Sequence, residues 1–324
     1  MSFRLTVAAL AVAVFCGGAQ AQTAAADAYP NKSVRFVVPF PAGGPTDVLA
    51  RFLGQHISEQ WGQSVVIENR AGANSALGAQ AVARADPDGY TLLFAMDTTL
   101  VMNPIAMASL SYKPEDFALI SLAAMNTSIL VVPASGPKTI DELIAKGKAN
   151  PGKLNYGAGI IPTRLAGYLF TKMAGMEAVF VPYKGSSEVV QALLDGSIDY
   201  AVDGIAPHAP LIRDGKLRAL AKLNNRPLET FPDLKPLHEA AKMPELGEMS
   251  TWTGVVAPAG TPRAIIDKVR KAVVAATEDK TVQNKLRPLG IVAVNSTPEE
   301  FQTFVQSELK KWAPIVKESG IVVN

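Results

Sequence analysis

Three times in this chain a short apolar run of strand length leads into a glycine-bearing loop and then into a helical stripe, and few architectures accommodate that order repeatedly. The first unit occupies residues 34–61. Val34–Val38 has strand length and β-branched composition, Pro39-Phe40-Pro41-Ala42-Gly43-Gly44-Pro45-Thr46 reads as a loop, and Val48, Leu49, Phe52, Leu53, Ile57 and Trp61 recur at helical spacing. The second passes from Leu154-Asn155-Tyr156 through Gly157-Ala158-Gly159-Ile160-Ile161-Pro162-Thr163 into a helix beginning at Arg164. The third passes from residues 179–183 through Lys184-Gly185-Ser186-Ser187 into a helix marked by Val189, Val190, Leu193 and Leu194. Glycine frees the backbone N–H groups of such a loop from side-chain obstruction, and the positive end of the following helix makes the junction a small anion site. Thr46 is expected to cap the first helix. Any one of these loops also reads as a plain tight turn, and the repetition is what favours a binding role.

Further strands are expected at residues 65–68 and 91–95, with a small-residue helix between them at 75–85. Strands alternating with helices predict a parallel sheet covered on both faces, with ligand sites at the carboxyl ends of the strands. Asp97 and Thr98 follow one such end, where facing the same cleft as Gly43 and Gly44 competes evenly with forming a plain polar turn. An extended apolar stretch at residues 120–132, broken by Asn126-Thr127-Ser128, reads as a strand leaving one lobe for another, and the strand from Thr251 brings the chain back. The expected division is therefore 22–127 for the first part of lobe one, 128–249 for lobe two and 250–324 for the remainder of lobe one. Two crossing strands permit hinge closure around a ligand. Thr261-Pro262 and Thr297-Pro298-Glu299-Glu300 are expected to open the last two helices, the second with a full capping box.

Residues 1–21 read as an export signal: Arg4, an apolar run at 5–15, and the small-residue cleavage pattern Ala19-Gln20-Ala21, giving a mature start at Gln22. Cys16 as a lipid-attachment site is the competing reading, and Phe15 stands where that motif wants a small residue. Cleavage removes the only cysteine, so neither a disulfide nor a thiol nucleophile is expected. With Arg4 gone the balance is near neutral, no basic run carries interleaved aromatics, and no later apolar stretch approaches the ~20 residues of a membrane helix. Nucleic acid is not an expected partner.

Catalytic constellations are scarce. His56, His208 and His238 are dispersed without metal-ligand spacing, and neither a Gly-x-Ser-x-Gly elbow nor a phosphate loop occurs. Gly157-Ala158-Gly159 begins like a dinucleotide fingerprint, but Pro162 occupies the place of its third glycine, so no cofactor is expected. Asp199 and Asp203 lie near strand ends, where a structural role competes with acid/base work. Arg164 sits in a first helical turn, against the macrodipole at a cost of up to about 1 kcal/mol, so it is either solvated or paired with an anion such as a ligand carboxylate. Asp47 suits its helix start, and near a bound carboxylate it would repel.

A set of motifs then carries a family likeness. Pro39-Phe-Pro-Ala-Gly-Gly-Pro-Thr-Asp47, Val66-Ile-Glu-Asn-Arg-Ala-Gly72, Asp88-Gly-Tyr-Thr-Leu92, Asn150-Pro-Gly-Lys-Leu-Asn-Tyr-Gly157, Val181-Pro-Tyr-Lys-Gly185, Gly215-Lys-Leu-Arg-Ala-Leu220 and Ala257-Pro-Ala-Gly-Thr-Pro262 occur in one order across almost the whole mature chain. Together they resemble the solute receptors of tripartite tricarboxylate transporters, also called Bug receptors. The resemblance implies an α/β, two-lobed type II periplasmic-binding-protein fold (a Venus flytrap) with two hinge-crossing strands. It also implies a periplasmic protein without catalysis that hands a small organic carboxylate to large and small permease subunits. Its loops would hold the ligand by amides, hydroxyls and water. One departure stands out: relatives usually carry Gly and Ser followed by His at the second loop, where this chain has Gly159-Ile160-Ile161-Pro162-Thr163-Arg164.

The candidate ligand-binding set is thus Phe40, Ala42, Gly43, Gly44, Thr46, Asp47, Asp97, Thr98, Tyr156, Ala158, Gly159, Thr163, Arg164, Tyr183 and Asp203, with no catalytic or metal residue. The expected ligand is an aliphatic or aromatic dicarboxylate, one end on the Gly43-Gly44 loop and the other at Arg164, bound by a monomer. The competing classes are an exported enzyme acting on small anions and a ligand sensor that docks on a different membrane receptor.

Overall fold

The computed structural model describes residues 28–321, so the export signal, Cys16, the expected start at Gln22 and residues 322–324 lie outside the described residues. Six strands, β1 (Val34–Val38), β2 (Val65–Asn69), β3 (Thr91–Met96), β4 (Phe117–Asn126), β10 (Thr251–Pro258) and β11 (Ile291–Ala293), make one sheet in the order β2-β1-β3-β10-β4-β11. Five others, β5 (Ser128–Pro133), β6 (Leu154–Ala158), β7 (Ala178–Pro182), β8 (Tyr200–Gly204) and β9 (Leu217–Lys222), make a second in the order β7-β6-β8-β5-β9. The two orders are the same once a crossing strand, β10 or β5, is put in fourth place. This is the type II two-lobed arrangement.

Neither sheet is purely parallel, contrary to the expectation from alternation. Strands β1, β2 and β3 are mutually parallel, whereas β10 runs antiparallel to both β3 and β4, and β5 antiparallel to β8 and β9. The reason is directional. A strand arriving from the other lobe enters at the cleft edge, where its neighbours end, and must run against them.

Between β4 and β5 stands the single residue Thr127. Its amide donates to the Gly290 carbonyl at 2.8 Å and its own carbonyl accepts from the Ile205 amide at 3.1 Å, so the hinge residue is fastened to both lobes. The stretch at 120–132 is accordingly two strands rather than one.

Helix α1 (Pro45–Trp61) follows β1, α2 (Ala76–Ala83) follows β2, α3 (Ile140–Ala149) follows β5, α4 (Ile161–Met173) follows β6 and α5 (Ser186–Leu194) follows β7. Helix α1 buries Leu49, Ala50, Leu53 and Ile57, each large aliphatic contributing roughly 1.5–3 kcal/mol of hydrophobic stabilisation. It ends at Gly62 in the left-handed conformation, whose amide returns to the Ser58 carbonyl at 3.0 Å. Helix α6 (Arg263–Glu278) begins with Pro262 at the cap, and Thr261 turns its hydroxyl back to the Pro258 carbonyl instead of capping. A short helix, Lys280–Leu286, and β11 intervene before α7 (Pro298–Ser319), and neither is marked by a strong period. Helix α7 has the expected capping box of Thr297 and Glu300.

The apolar core does not stop at the hinge. One buried cluster contains Leu93, Leu100, Trp252 and Phe301 from the first lobe together with Tyr156, Phe170 and Tyr200 from the second. The lobes therefore share a packed floor beneath the cleft.

Candidate functional site

The first loop is built from behind. Gly43 has φ +88°, a conformation glycine adopts without the Cβ penalty, and its amide donates to Asp47 Oδ2 at 2.9 Å. The same carboxylate accepts Arg51 Nε at 2.9 Å on Oδ2, and Arg51 Nη2 at 2.9 Å and Asn69 Nδ2 at 2.8 Å on Oδ1. Burial alone would raise the Asp47 pKa, but the Arg51, Gly43 and Asn69 hydrogen bonds outweigh it and hold the carboxyl below its ordinary range. Asp47, expected among the ligand groups, has its lone pairs fully engaged in the scaffold and lines neither chamber described below. Gly44, not Thr46, is the N-cap of α1, because Pro45 takes the first helical position and moves Thr46 inside the turn. The Thr46 hydroxyl lies 3.5 Å from that of Thr253.

Opposite this loop stand the junctions β6–α4 and β7–α5. Pro41 and Pro45 approach Gly185 and Gly204 so closely that a Cβ added at Gly204 would lie 2.6 Å from Pro45 Cγ. Ser187 Oγ donates across the gap to the Ala42 carbonyl at 3.1 Å. These contacts divide the cleft into two chambers. The hinge-side chamber, about 30 Å³, is lined by Phe40, Gly44, Thr46, Ser128, Ile160 and Asp203, with Gly185 and Ser186 of the third loop. The loop-side chamber, about 190 Å³, is lined by Phe40, Ser75, Gly159, Tyr183 and Lys184. Only about one water molecule fits the first, so the lobes must part to admit a ligand there.

Of the sequence-predicted set, Phe40, Gly44, Thr46 and Asp203 meet in the hinge-side chamber, and Phe40, Gly159 and Tyr183 in the loop-side one. Ala158 is buried at the end of β6, its carbonyl accepting the Tyr183 amide at 3.2 Å. Thr163 is buried and returns its hydroxyl to the Ile160 carbonyl at 3.1 Å, leaving the first-turn amides of Ile161 and Thr163 without intrahelical acceptors. Burial raises the Asp203 carboxyl above its ordinary range, with His208 pulling the other way.

Asp97, Thr98, Tyr156 and Arg164 also line neither chamber. Strand β3 runs to Met96, which takes the place on the cleft, while Asp97 is buried behind it and accepts the Thr98 amide at 2.7 Å. Burial pushes Asp97 well above the carboxylate range. Thr98 is fully buried in the π-helical turn Thr98–Met102. Strand alternation turns the Tyr156 ring towards α4, where it stacks on Tyr200 with centroids 5.5 Å apart. Arg164 resolves its dipole mismatch without a carboxylate: its Cζ lies 4.4 Å from the centre of the Phe180 ring, and partial burial lowers its pKa while Tyr156 acts in the opposite direction. It lines neither chamber.

Several cleft residues were not anticipated. Ala73, Asn74 and Ser75 have φ of +46°, +48° and +76°, directly after Gly72 at +137°. Left-handed backbone at non-glycine residues costs about 1–2 kcal/mol each, and here three consecutive residues adopt it at the wall of the loop-side chamber. The Gly72-Ala73-Asn74 sequence carried part of the signal, since Gly and Asn tolerate this conformation. Ser186 and Lys184 belong to the third strand-loop-helix unit and follow from the same logic as the first. Ser128 has no local signature, being a hinge residue brought to the cleft by topology.

The comparisons with known proteins agree with this geometry. The family model described as tripartite tricarboxylate transporter family receptor matches residues 49–321. Protein BugT of Bordetella pertussis is 34% identical over 300 residues, covering 91% of this chain and 91% of BugT. An R. palustris protein solved with adipate superposes with a TM-score of 0.87 at 32% identity, covering 91% of this chain and 99% of that one. MatC from Rhodopseudomonas palustris, solved with bound malate, superposes with a TM-score of 0.82 at 29% identity, covering 89% of this chain and 100% of that one. With a two-lobed cleft walled by loop amides and a family match across most of its length, the chain belongs to the tripartite tricarboxylate transporter family of solute receptors, the Bug receptors.

Proposed function

We propose that this protein is a periplasmic receptor that closes on a small organic dicarboxylate without transforming it, and passes it to the membrane subunits of a tripartite tricarboxylate-type transporter. The observation that carries the reading is the convergence of helix-initiating loops from both sheets, at Gly44, Gly159 and Gly185, on one cleft between the lobes. The adipate and malate bound by the two R. palustris neighbours support a dicarboxylate as the ligand class. The lobes are taken as residues 22–127 with 250–324, and 128–249, after removal of 1–21. The protein acts as a monomer, and no helix among the described residues is long and apolar enough to cross a membrane.

A thermal-shift screen of mono-, di- and tricarboxylates tests this. A ligand at a hundred times its dissociation constant stabilises by about 2.7 kcal/mol, a shift of several degrees. Failure of every carboxylate to raise the melting temperature would overturn the reading, as would product formation on incubation.

A further inference from the structure

The two ends of the cleft differ in hydrogen-bonding character. The helix-initiating loops offer N–H groups, whereas the hinge end holds buried side-chain atoms that lack any partner: Asp203 Oδ2, Ser128 Oγ and Asn126 Oδ1. Asp203 is 2% exposed, and Ser128 and Asn126 are each 1% exposed. Ser186 Oγ donates to Asp203 Oδ1 at 2.9 Å, so one carboxylate oxygen is provided for and the other is not. His208 does not fill the gap. Its Nδ1 donates to the Gly204 carbonyl at 2.9 Å, and its Nε2 lies 3.8 Å from Asp203 Oδ2, beyond hydrogen-bond distance. Asp203 Oδ2 is therefore left buried with no donor within hydrogen-bond distance, an arrangement that costs free energy until a donor is supplied.

We propose that Asp203, with Ser128 beside it, makes the receptor select acids that carry a hydroxyl or ammonium group over their unsubstituted counterparts. The inference rests on the carboxylate-receptor reading above and narrows its ligand class. A carboxylate at the loop amides leaves the hinge-side chamber to the ligand's other polar group. A hydroxyl or ammonium donates to Asp203 there, whereas an unsubstituted methylene leaves the buried acceptor unpaired. Discrimination of this kind, by a site built to receive a donor, is much sharper than discrimination by size.

Isothermal titration of matched sets tests it: succinate, malate and aspartate, then glutarate, 2-hydroxyglutarate and glutamate, against the full mature chain and its Asp203→Asn and Ser128→Ala variants. In the unmodified protein one substituted acid binds at least about tenfold more tightly than its parent, a ratio within the worth of one buried charge-assisted hydrogen bond. Asp203→Asn keeps an oxygen for Ser186, presents N–H groups in place of the free oxygen, and collapses the ratio to about unity. Ser128→Ala reduces it, and provides a second reading should Asp203→Asn fold poorly. Parent acids binding as tightly as substituted ones, or a ratio that survives Asp203→Asn, would overturn the inference while leaving the carboxylate receptor standing. Absence of binding by all six acids in a wild-type protein that binds no other carboxylate would overturn both.

Discussion

Asp47 Oδ2 accepts the amide of Gly43 at 2.9 Å, four residues back along the chain, and so closes the glycine loop upon its own helix. Arg51 and Asn69 complete the network on the same carboxylate, and Asn69 also donates to the Phe40 carbonyl at 3.1 Å.

Removing this carboxylate should unfasten the loop. Asp47→Ala leaves the Gly43 amide and a guanidinium without their acceptor, and is expected to destabilise by about 2–4 kcal/mol and to weaken carboxylate binding at least tenfold. Denaturant unfolding together with titration of a screened ligand checks both effects. Unchanged affinity in a destabilised variant would remove the first loop from the binding site.

Closure depends on how closely Gly204 approaches Pro45. A Cβ at Gly204 would sit 2.6 Å from Pro45 Cγ, on the opposite lobe, so Gly204→Ala should hold the lobes apart while sparing each lobe's own core. Ligand affinity is expected to fall by at least about tenfold with a change in unliganded melting temperature of only a few degrees, since the strain is avoided in an open form. Small-angle scattering with and without ligand reads the loss of compaction directly.

Arg164 rests its guanidinium on the Phe180 ring and lines neither chamber, so it is not placed to clamp a dicarboxylate. Arg164→Ala should cost about 0.5–1 kcal/mol of stability through the lost cation–π contact and leave the affinities for mono- and dicarboxylates alike within about twofold. A selective loss of dicarboxylate binding in calorimetry would restore the clamp.

Asp97 predicts a pH dependence. Its folded-state pKa is raised by burial, so the folded chain binds this proton more tightly than the unfolded chain, whose Asp titrates near ~4. The contribution of Asp97 to stability is therefore greatest below that value and declines as pH rises towards the raised folded-state pKa. Asp97→Asn should flatten this decline, raising stability at neutral pH relative to wild type while converging with it in acid. Asp47, whose folded-state pKa is lowered, contributes the opposite slope: its stabilisation is present above ~4 and is lost as pH falls through the lowered value. Urea melts across pH 3–8 on the Asp47→Asn and Asp97→Asn variants separate the two slopes.

Much of the scaffold was readable in advance because it follows from local rules. The Thr297 and Glu300 capping box, the strand composition of Val34–Val38 and the interruption at Thr127 each express a preference that operates over a few residues. Placement on the cleft was less accessible. Gly44, Gly159 and Tyr183 reach a chamber because a loop between strand and helix must emerge at the carboxyl edge of a sheet. Asp97, Tyr156 and Arg164 lie just as near a strand end or helix start, yet strand alternation or an aromatic neighbour from a distant strand turned them away.

The amino-acid sequence alone determined that this chain alternates strands with helices, leaves one lobe for another and returns, and carries glycine loops at helix starts, because hydrophobic period, turn chemistry and capping are properties of neighbouring residues. Only the tertiary structure decided that the sheets are mixed, that Asp47 serves the scaffold, that Arg164 rests on Phe180, and that Ser128 and Asp203 meet at the hinge. Those outcomes depend on which residues far apart in the chain come within a few ångströms of each other, and that is set by the packing of two sheets on a shared core.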